Sequence, residues 1–549
     1  MRAAELLHPQ RPAAPLREAA TLLLLRDTPA GLQVLMTRRS ATASFAPGAH
    51  VFPGGQVDAE DGQAHHLARR RPGQADAALT HALAAIREAW EELGVLLAYP
   101  ADGVGDGDLA DPALLAGLDR HAPLFAQCLE RGLTLAADRV HMVAHWITDR
   151  DLARRFDVPF LVARAPEGQV PVADDAEQFA PEWVGMVDAL RRHDEGRFAM
   201  MFPTRRTLER LARYSSVDEL IAACTDVNGG DTALWTSCPR GGIVAGEVRR
   251  FMEDDAPFGE LALVCPDGQV LHALDWRHDA PVALSRGVAR LTAANANHMT
   301  GPGTNTYLVG TPATDFAVID PGPADAQHVA RIVAATGGQV RFIVCTHSHS
   351  DHSPAAPLLQ AACSALGFKA PVLGLPSGPH ARPTSFFQPD RMLADCEALE
   401  LSGGADEYRL RVHHTPGHAA NHLCLVLEQD GLLFSGDHIL NGNGPVVVPP
   451  DGNMGAYLAS LDRLEAVCCD GNVEFILPAH GWAMHEPLAV IGRLRRHRQD
   501  RQRRVAEAMS AMPEGGLDDW LPLVYPNVPP VLRDMARMSL LAHVESLRA

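Results

Sequence analysis

Two groups of side chains in this 549-residue sequence could do chemistry. In the first, Glu88, Glu91 and Glu92 stand within Arg87-Glu88-Ala89-Trp90-Glu91-Glu92-Leu93-Gly94-Val95, at i, i+3 and i+4. On a helix these three carboxylates share one face and repel by roughly 0.2 to 0.5 kcal/mol per pair. A hard cation such as Mg²⁺, which takes oxygen ligands and bridges carboxylates to substrate phosphates, relieves that repulsion. A solvated acidic face is the alternative. In the second group, Thr346-His347-Ser348-His349-Ser350-Asp351-His352 packs three imidazoles and a carboxylate into six positions, which could serve two metal positions from one loop.

Each group needs elements to position it. Ala20 to Leu25 and Leu32 to Thr37 read as strands around a turn with Pro29 and Gly31, and Val51 to Gly55 as a third strand ending in a double glycine. Asp76 to Leu93 reads as a helix stopped by Gly94. Farther on, Val288 to Ala293, Thr306 to Gly310, Phe316 to Ile319 and Arg341 to Cys345 read as strands. The last runs straight into the histidine loop, with a helix expected to start near Asp351 and His352. Glu260 to Cys265 also looks strand-like.

The pattern Arg-Glu-x-x-Glu-Glu-x-Gly-Val, preceded by Phe52-Pro53-Gly54-Gly55 and Glu60, resembles the signature of Nudix hydrolases. The loop between Gly54-Gly55 and Arg87 is longer than the usual motif's. With Arg39-Ser40, Pro47-Gly48, Arg155-Phe156-Asp157 and Glu182-Trp183-Val184, that insertion is similar to the branch that cleaves coenzyme A and acyl-coenzyme A diphosphates. The resemblance covers about Ala19 to Tyr214. It implies Glu88, Glu91 and Glu92 as ligands of Mg or Mn, with Glu91 and Glu92 catalytic, and Arg87 orienting them. A metal-polarised water then attacks a diphosphate phosphorus. Glu177 and Glu182 are acidic residues on an expected loop, each read more readily as plain surface charge than as the base. A binding module that has lost catalysis is the alternative for this half.

His-x-His-x-Asp-His resembles the metal signature of the metallo-β-lactamase fold, and the other ligands of that family follow in order. They are His418 in Thr415-Pro416-Gly417-His418, Asp437 after Phe434-Ser435-Gly436, and His480 after Ile476-Leu477-Pro478-Ala479. The resemblance implies His347, His349 and His418 on one metal, Asp351, His352 and His480 on the other, and Asp437 bridging. This donor set suits zinc, with manganese or iron also fitting. Two metals about 3.5 to 4 Å apart lower the pKa of a bridging water and clamp the oxygens of a reacting group. Asp351 is also a candidate proton acceptor. His413, His414, His422 and His438 are expected to support the site rather than ligate.

True metallo-β-lactamases usually carry cysteine at the position of Asp437, and the short span from His418 to Asp437 leaves no room for the inserted domain of cleavage-and-polyadenylation nucleases. Gly303-Thr304-Asn305-Thr306-Tyr307-Leu308, Gly436-Asp437-His438 and Val448-Pro449-Pro450-Asp451-Gly452 look like the branch of the mitochondrial metallo-β-lactamase-like endoribonuclease. Hydroxyacylglutathione hydrolase shares the ligand set, so a thioester substrate stays open. The run Arg493, Arg495, Arg496, Arg498, Arg501, Arg503 and Arg504 could steer RNA, with Arg495, Arg498 and Arg501 as candidate phosphate contacts. A solvated helix face is the bland alternative.

Composition sets the outer limits. Hydrophobic content of 46% and charged content of 21% are globular, and a net charge of −19 disfavours sequence-blind adhesion to nucleic acid or anionic lipid. No apolar run reaches the roughly 18 to 20 residues of a membrane span. Met1 to Leu16 lacks the apolar core of a secretion signal, and ten scattered cysteines read as reduced thiols, so a cytoplasmic enzyme without membrane partners is expected. The expected fold class is α/β. Residues 1–224 form a Nudix α/β/α fold, 225–284 a linker or small subdomain, 285–490 a metallo-β-lactamase αββα sandwich, and 491–549 a helical, winged-helix-like tail. The expected protein is a two-domain metal-dependent hydrolase. Its expected substrates are phosphate anhydrides at one site and phosphodiesters, RNA among them, or thioesters at the other. The oligomeric state is not readable.

Overall fold

The computed structural model describes residues 6–42, 46–100, 109–174, 178–442 and 444–548. Glu177 lies outside the described residues. The chain divides into two compact units, Pro12–Pro239, and Arg240–Ala549 together with Met1–Arg11.

The first unit is built on a mixed sheet of β1 (Leu16–Thr28), β2 (Gly31–Arg39), β3 (His50–Val51), β4 (Gly54–Gln56), β5 (His141–Ile147), β6 (Arg155–Arg164), β7 (Gln178–Gly185) and β8 (Trp235–Ser237). The strand order is β8-β5-β6-β1-β2-β3, with β4 on β1 and β7 on β2. The single third strand expected at Val51 to Gly55 is two pieces: His50–Val51 pairs with β2, and Gly54–Gln56 pairs with β1. Helix α1 (Asp76–Leu93) matches its sequence pattern residue for residue. Its end is set by Gly94 at φ +65, which donates to Ala89 and Trp90 carbonyls. Ala20, Leu22 and Leu24, spaced by two on β1, pack against Leu79, Leu83, Ile86 and Trp90, spaced by three and four on α1.

In the second unit a hairpin, β9 (Arg240–Val244) and β10 (Glu247–Phe251), precedes helix α2 (Phe258–Val264). The strand expected at Glu260 to Cys265 is therefore helix. A short, continuous apolar run carries no period to tell the two apart.

A seven-stranded sheet follows in consecutive order: β11 (Val282–Ser285), β12 (Val288–Thr292), β13 (Asn305–Thr311), β14 (Asp315–Ile319), β15 (Val340–Val344), β16 (Val372–Gly374) and β17 (Arg391–Met392). Helices α3 (Ala326–Thr336) and α4 (Ala356–Ala365) accompany it. The second sheet runs β18 (Ala398–Gly403), β19 (Asp406–His414), β20 (Leu423–Leu427), β21 (Leu432–Gly436), β22 (Phe475–Pro478) and β23 (Met484–His485), with α5 (Met454–Asp470).

Alternation along the strands builds an αββα sandwich. Tyr307, Val309, Ala317 and Ile319 meet Leu410, Val412, Leu425 and Phe434 between the sheets. Their neighbours Leu308 and Val318 face Val329, Ile332 and Leu359 of α3 and α4, while Cys424 and Val426 face Tyr457 and Leu461 of α5. The tail is three helices, α6 (Pro487–Ala511), α7 (Leu517–Val524) and α8 (Arg533–Arg548), packed through Val505, Trp520, Leu521, Ala536 and Leu540. Among the described residues, no helix is long and apolar enough to cross a membrane.

Candidate metal centre and active-site cleft

The loops after β15, β19, β21 and β22 carry the predicted ligands. Successive antiparallel and parallel pairings make β19, β21 and β22 run the same way, so their loops open at one edge of the second sheet. After β15 the chain turns from Cys345 to Ala355, and α4 begins at Ala356, later than expected from the sequence. Pro357 occupies its first turn, where a missing N–H costs nothing. Asp320 holds the loop: the Thr346 N–H donates to its Oδ1 (2.7 Å) and the Thr346 hydroxyl to its Oδ2 (2.8 Å).

The seven residues converge. Ligand atoms of His347, His349 and His418 lie within 4.8 Å of one another, as do those of Asp351, His352 and His480, and His347, His352 and Asp437 form an overlapping group. Asp437 Oδ2 is 3.5 Å from His418 Nε2, and its Oδ1 is 3.3 Å from His480 Nε2 and 3.6 Å from His352 Nε2. One carboxylate thus presents an oxygen to each group.

The outer nitrogens are tied down. His418 Nδ1 donates to Val446 O (2.7 Å), His480 Nδ1 to Gly303 O (3.2 Å) and His352 Nδ1 to Asp320 Oδ2 (3.0 Å). Because the Thr346 hydroxyl proton is spent on Asp320, its oxygen accepts from His347 Nδ1 (3.0 Å). These bonds fix the tautomers that aim lone pairs inward. His349 Nε2 lies 3.7 Å from Asp451 Oδ2, and Thr304 donates to Asp351 Oδ2 (3.2 Å).

The donor set fits a pair of divalent cations. His347 Nε2, His352 Nε2 and Asp437 Oδ1 are buried with no hydrogen-bond partner, a state that costs about 1–3 kcal/mol per group unless something satisfies it. Burial and neighbouring imidazoles push His347 well below its usual pKa, and burial first of all lowers His418 to about 4. Both are neutral, as ligands must be. In the other group burial is outweighed by Asp351 and Asp437, which raise His352 strongly and His480 to about 9. Those carboxylates draw protons to the place a cation would take. Burial opposes ionisation of Asp351 and Asp437, yet the facing imidazoles hold both well below the carboxylate range.

Of the four further histidines, His422 and His438 adjoin this core, while His413 and His414 are structural. His422 Nε2 accepts from the Asp437 N–H (3.1 Å), His438 stacks on Tyr457 and His414 bonds Leu393 O, while His413 is buried. Sequence reasoning missed Asp320, Thr304 and Asp451 as orienting groups. The signals were Asp320-Pro321-Gly322 at a strand end, the Gly303-Thr304-Asn305 run and the Pro-Pro-Asp-Gly run.

A cleft of about 770 Å³ opens over the ligands. His349, Asp351, His418, Asp437 and His480 line it, together with Met299, Leu440, Val446, Val448, Met535 and Met538. Arg382 is the single arginine among the lining residues, and no lysine joins it.

The three arginines expected to contact phosphate are engaged within the fold. Arg495 pairs with Asp462 (3.0 Å) and Glu465 (2.6 Å). Arg498 is buried, donates to Pro445 O and lies over the Tyr457 ring. Arg501 donates to Val524 O (2.8 Å) and lies over Tyr525.

In the first unit Arg87 Nη1 donates to Glu88 Oε1 (2.9 Å) and Glu91 Oε2 (3.0 Å), while Nε and Nη2 grip the buried Asp61 (2.9 and 3.1 Å). Asp61 was not anticipated; its neighbour Glu60, quoted for the motif, is exposed. Glu92 turns away, accepting from Gly54 N–H (3.1 Å) and Gln178 (2.9 Å). Among the described residues the three glutamates are not gathered into a group within 4.8 Å. A Cβ on Gly55 would lie 2.3 Å from Glu88 Oε1, so glycine is required for the carboxylate to pack there. Burial raises Glu88 to about 7 against the pull of Arg87, and raises Glu91 as well. Glu182 is bound by Arg192 (2.7 and 3.1 Å), which lowers its pKa and leaves it poorly suited as a base.

Histidines and aspartates gathered by loops at one edge of an αββα sandwich, in groups that could hold metal, mark a class of metal-dependent hydrolase, and comparison with known proteins names it. Residues 299–469 match the description of the metallo-beta-lactamase superfamily. The lactamase-like protein vrtG of Penicillium aethiopicum is 31% identical over 239 residues, covering 42% of this chain and 69% of that protein. The chain belongs to the metallo-beta-lactamase superfamily. It is also 32% identical to the atrochrysone carboxyl ACP thioesterase of Aspergillus chevalieri, over 40% of this chain and 65% of that protein. The beta-lactamase-like protein 2 homolog of Drosophila melanogaster is 28% identical, over 49% of this chain and 90% of that protein. A solved Nudix hydrolase from Alicyclobacillus acidocaldarius is 27% identical, with 40% of this chain and 98% of that one covered at a TM-score of 0.34. The chain spans 65% and 63% of the length of the first fungal relatives it matches.

Proposed function

We propose that the metal centre hydrolyses acyl thioesters. The lining of the cleft carries this reading: seven apolar side chains line it beside the ligands, and among its remaining neutral and acidic polar groups Arg382 is the one arginine or lysine. Binding a phosphodiester chain draws on several cations at phosphates, whereas an acyl chain gains about 0.8 kcal/mol per buried methylene. The thioesterase activity in the name of the Aspergillus relative agrees with it. His347, His349 and His418 would hold one ion, Asp351, His352 and His480 the other, and Asp437 both. Bound there, divalent ions lower the pKa of water and polarise a carbonyl. Asp351, on the cleft wall beside the other ligands, would take the proton released at attack. Full-length protein purified without chelator should cleave acyl thioesters and leave short RNA intact. RNA cleavage without thioesterase activity would refute the reading in favour of a nuclease.

For Pro12–Pro239 we infer Mg²⁺-dependent or Mn²⁺-dependent hydrolysis of nucleoside or coenzyme A diphosphates. The supporting observation is the raised Glu88 and Glu91 pair, which a divalent cation would relieve. A panel of diphosphates with added Mg²⁺ tests it, and ligand binding without turnover would make this unit a binding module.

A further inference from the structure

We propose that the helical tail sets acyl-chain selectivity, with Met535 and Met538 of α8 forming, with Met299 and Leu440, the wall against which the chain lies. The inference rests on the thioesterase reading and adds to it which residues measure the substrate. Helix α8 has two apolar faces. Ala536, Leu540 and Val544 are buried in the tail's own core. Met535 and Met538 of the helix, three apart, and Leu532 in the turn just before it are half-buried and line the cleft that holds the candidate ligands, with the exposed Asp534 beside them. The tail's packing leaves this second stripe unused, and its continuity with the ligands gives it an apolar occupant attached to the scissile group. Methionine suits the task because an unbranched thioether adapts to chains of differing shape. A cleft of about 770 Å³ accommodates more than an acetyl group.

The test compares kcat/KM across butanoyl, hexanoyl and octanoyl thioesters of one thiol, using full-length, metal-replete protein. The parent should gain roughly fourfold per added methylene until the wall is filled. Replacing both residues by alanine should flatten that slope, and Met538→Trp should cut the octanoyl-to-butanoyl ratio at least about tenfold. A ratio is read because misfolding or metal loss lowers all substrates alike. Ratios within twofold of the parent in both variants, or a parent indifferent to chain length, overturn the selectivity wall and leave thioesterase activity standing. A parent that cleaves no thioester of any length overturns the reading beneath it.

Discussion

Arg498 belongs to a run that reads in sequence as a phosphate-binding stripe, yet its guanidinium is buried and donates to Pro445 O. The next carbonyl, Val446 O, accepts from His418 Nδ1, and the same loop continues to Asp451 beside His349. Through this loop Arg498 would position His418 and His349, two of the candidate ligands. Losing an outer support of this kind typically costs 10–100-fold in affinity. Protein purified without chelator should carry about two transition-metal ions per chain, and the His347→Ala, His349→Ala double variant should lose metal outright. Arg498→Met should lose one ion at about tenfold lower chelator than the parent. Metal analysis after graded chelator dialysis decides it; a parent with under half an equivalent sinks the centre, and an unshifted Arg498→Met sinks the positioning role.

At the scale of elements, α2 carries the most exacting contact. Glu260 is fully buried, gripped by Arg290 and accepting from His272 Nε2 at 2.9 Å. Burial by itself would raise this carboxyl, but Arg290 and His272 outweigh it and hold the pKa at about 2. A group depressed from 4.5 contributes stability that is present above about pH 4.5 and lost as pH falls towards 2. The melting temperature should therefore fall across that window. Glu260→Gln strands Arg290 and should cost about 3–5 kcal/mol at neutral pH, with a shallower acid slope. Calorimetry at pH 7, 4.5 and 3 checks both, and a variant with the parent's slope would remove Glu260 as its source. The apolar neighbours of Glu260 carry no strand period and no helix period. Only the buried ion pair, made from residues far away in sequence, explains why a charge sits in the run.

For the molecule as a whole, two units with separate cores hold two separate acidic and histidine-rich groups. Glu91→Gln should abolish Mg²⁺-dependent diphosphate cleavage while leaving the thioesterase rate within about twofold, since sites in separate cores with no shared partners act additively. Parallel assays of both activities decide this, and joint loss in a folded variant would mean a shared site. Helix α1 and the His347–His352 cluster were legible in the sequence, because 3.6-residue periodicity, a glycine stop and dense donor spacing are local signals, whereas His418, Asp437 and His480 were reached only through the family resemblance. The αββα class was legible through resemblance, and strand alternation between the inner and outer cores accords with it. Tertiary structure alone decided which groups support the ligands. Asp320, Thr304, Asp451, Asp61 and Arg498 act through side chains and carbonyls that meet only after folding, and no spacing rule connects them. It also decided that Glu92 turns to Gly54 and Gln178, and that the tail brings methionines to the cleft. Such contacts are set by how sheets and helices pack, and packing joins residues far apart in the sequence, Gln178 and Glu92 among them.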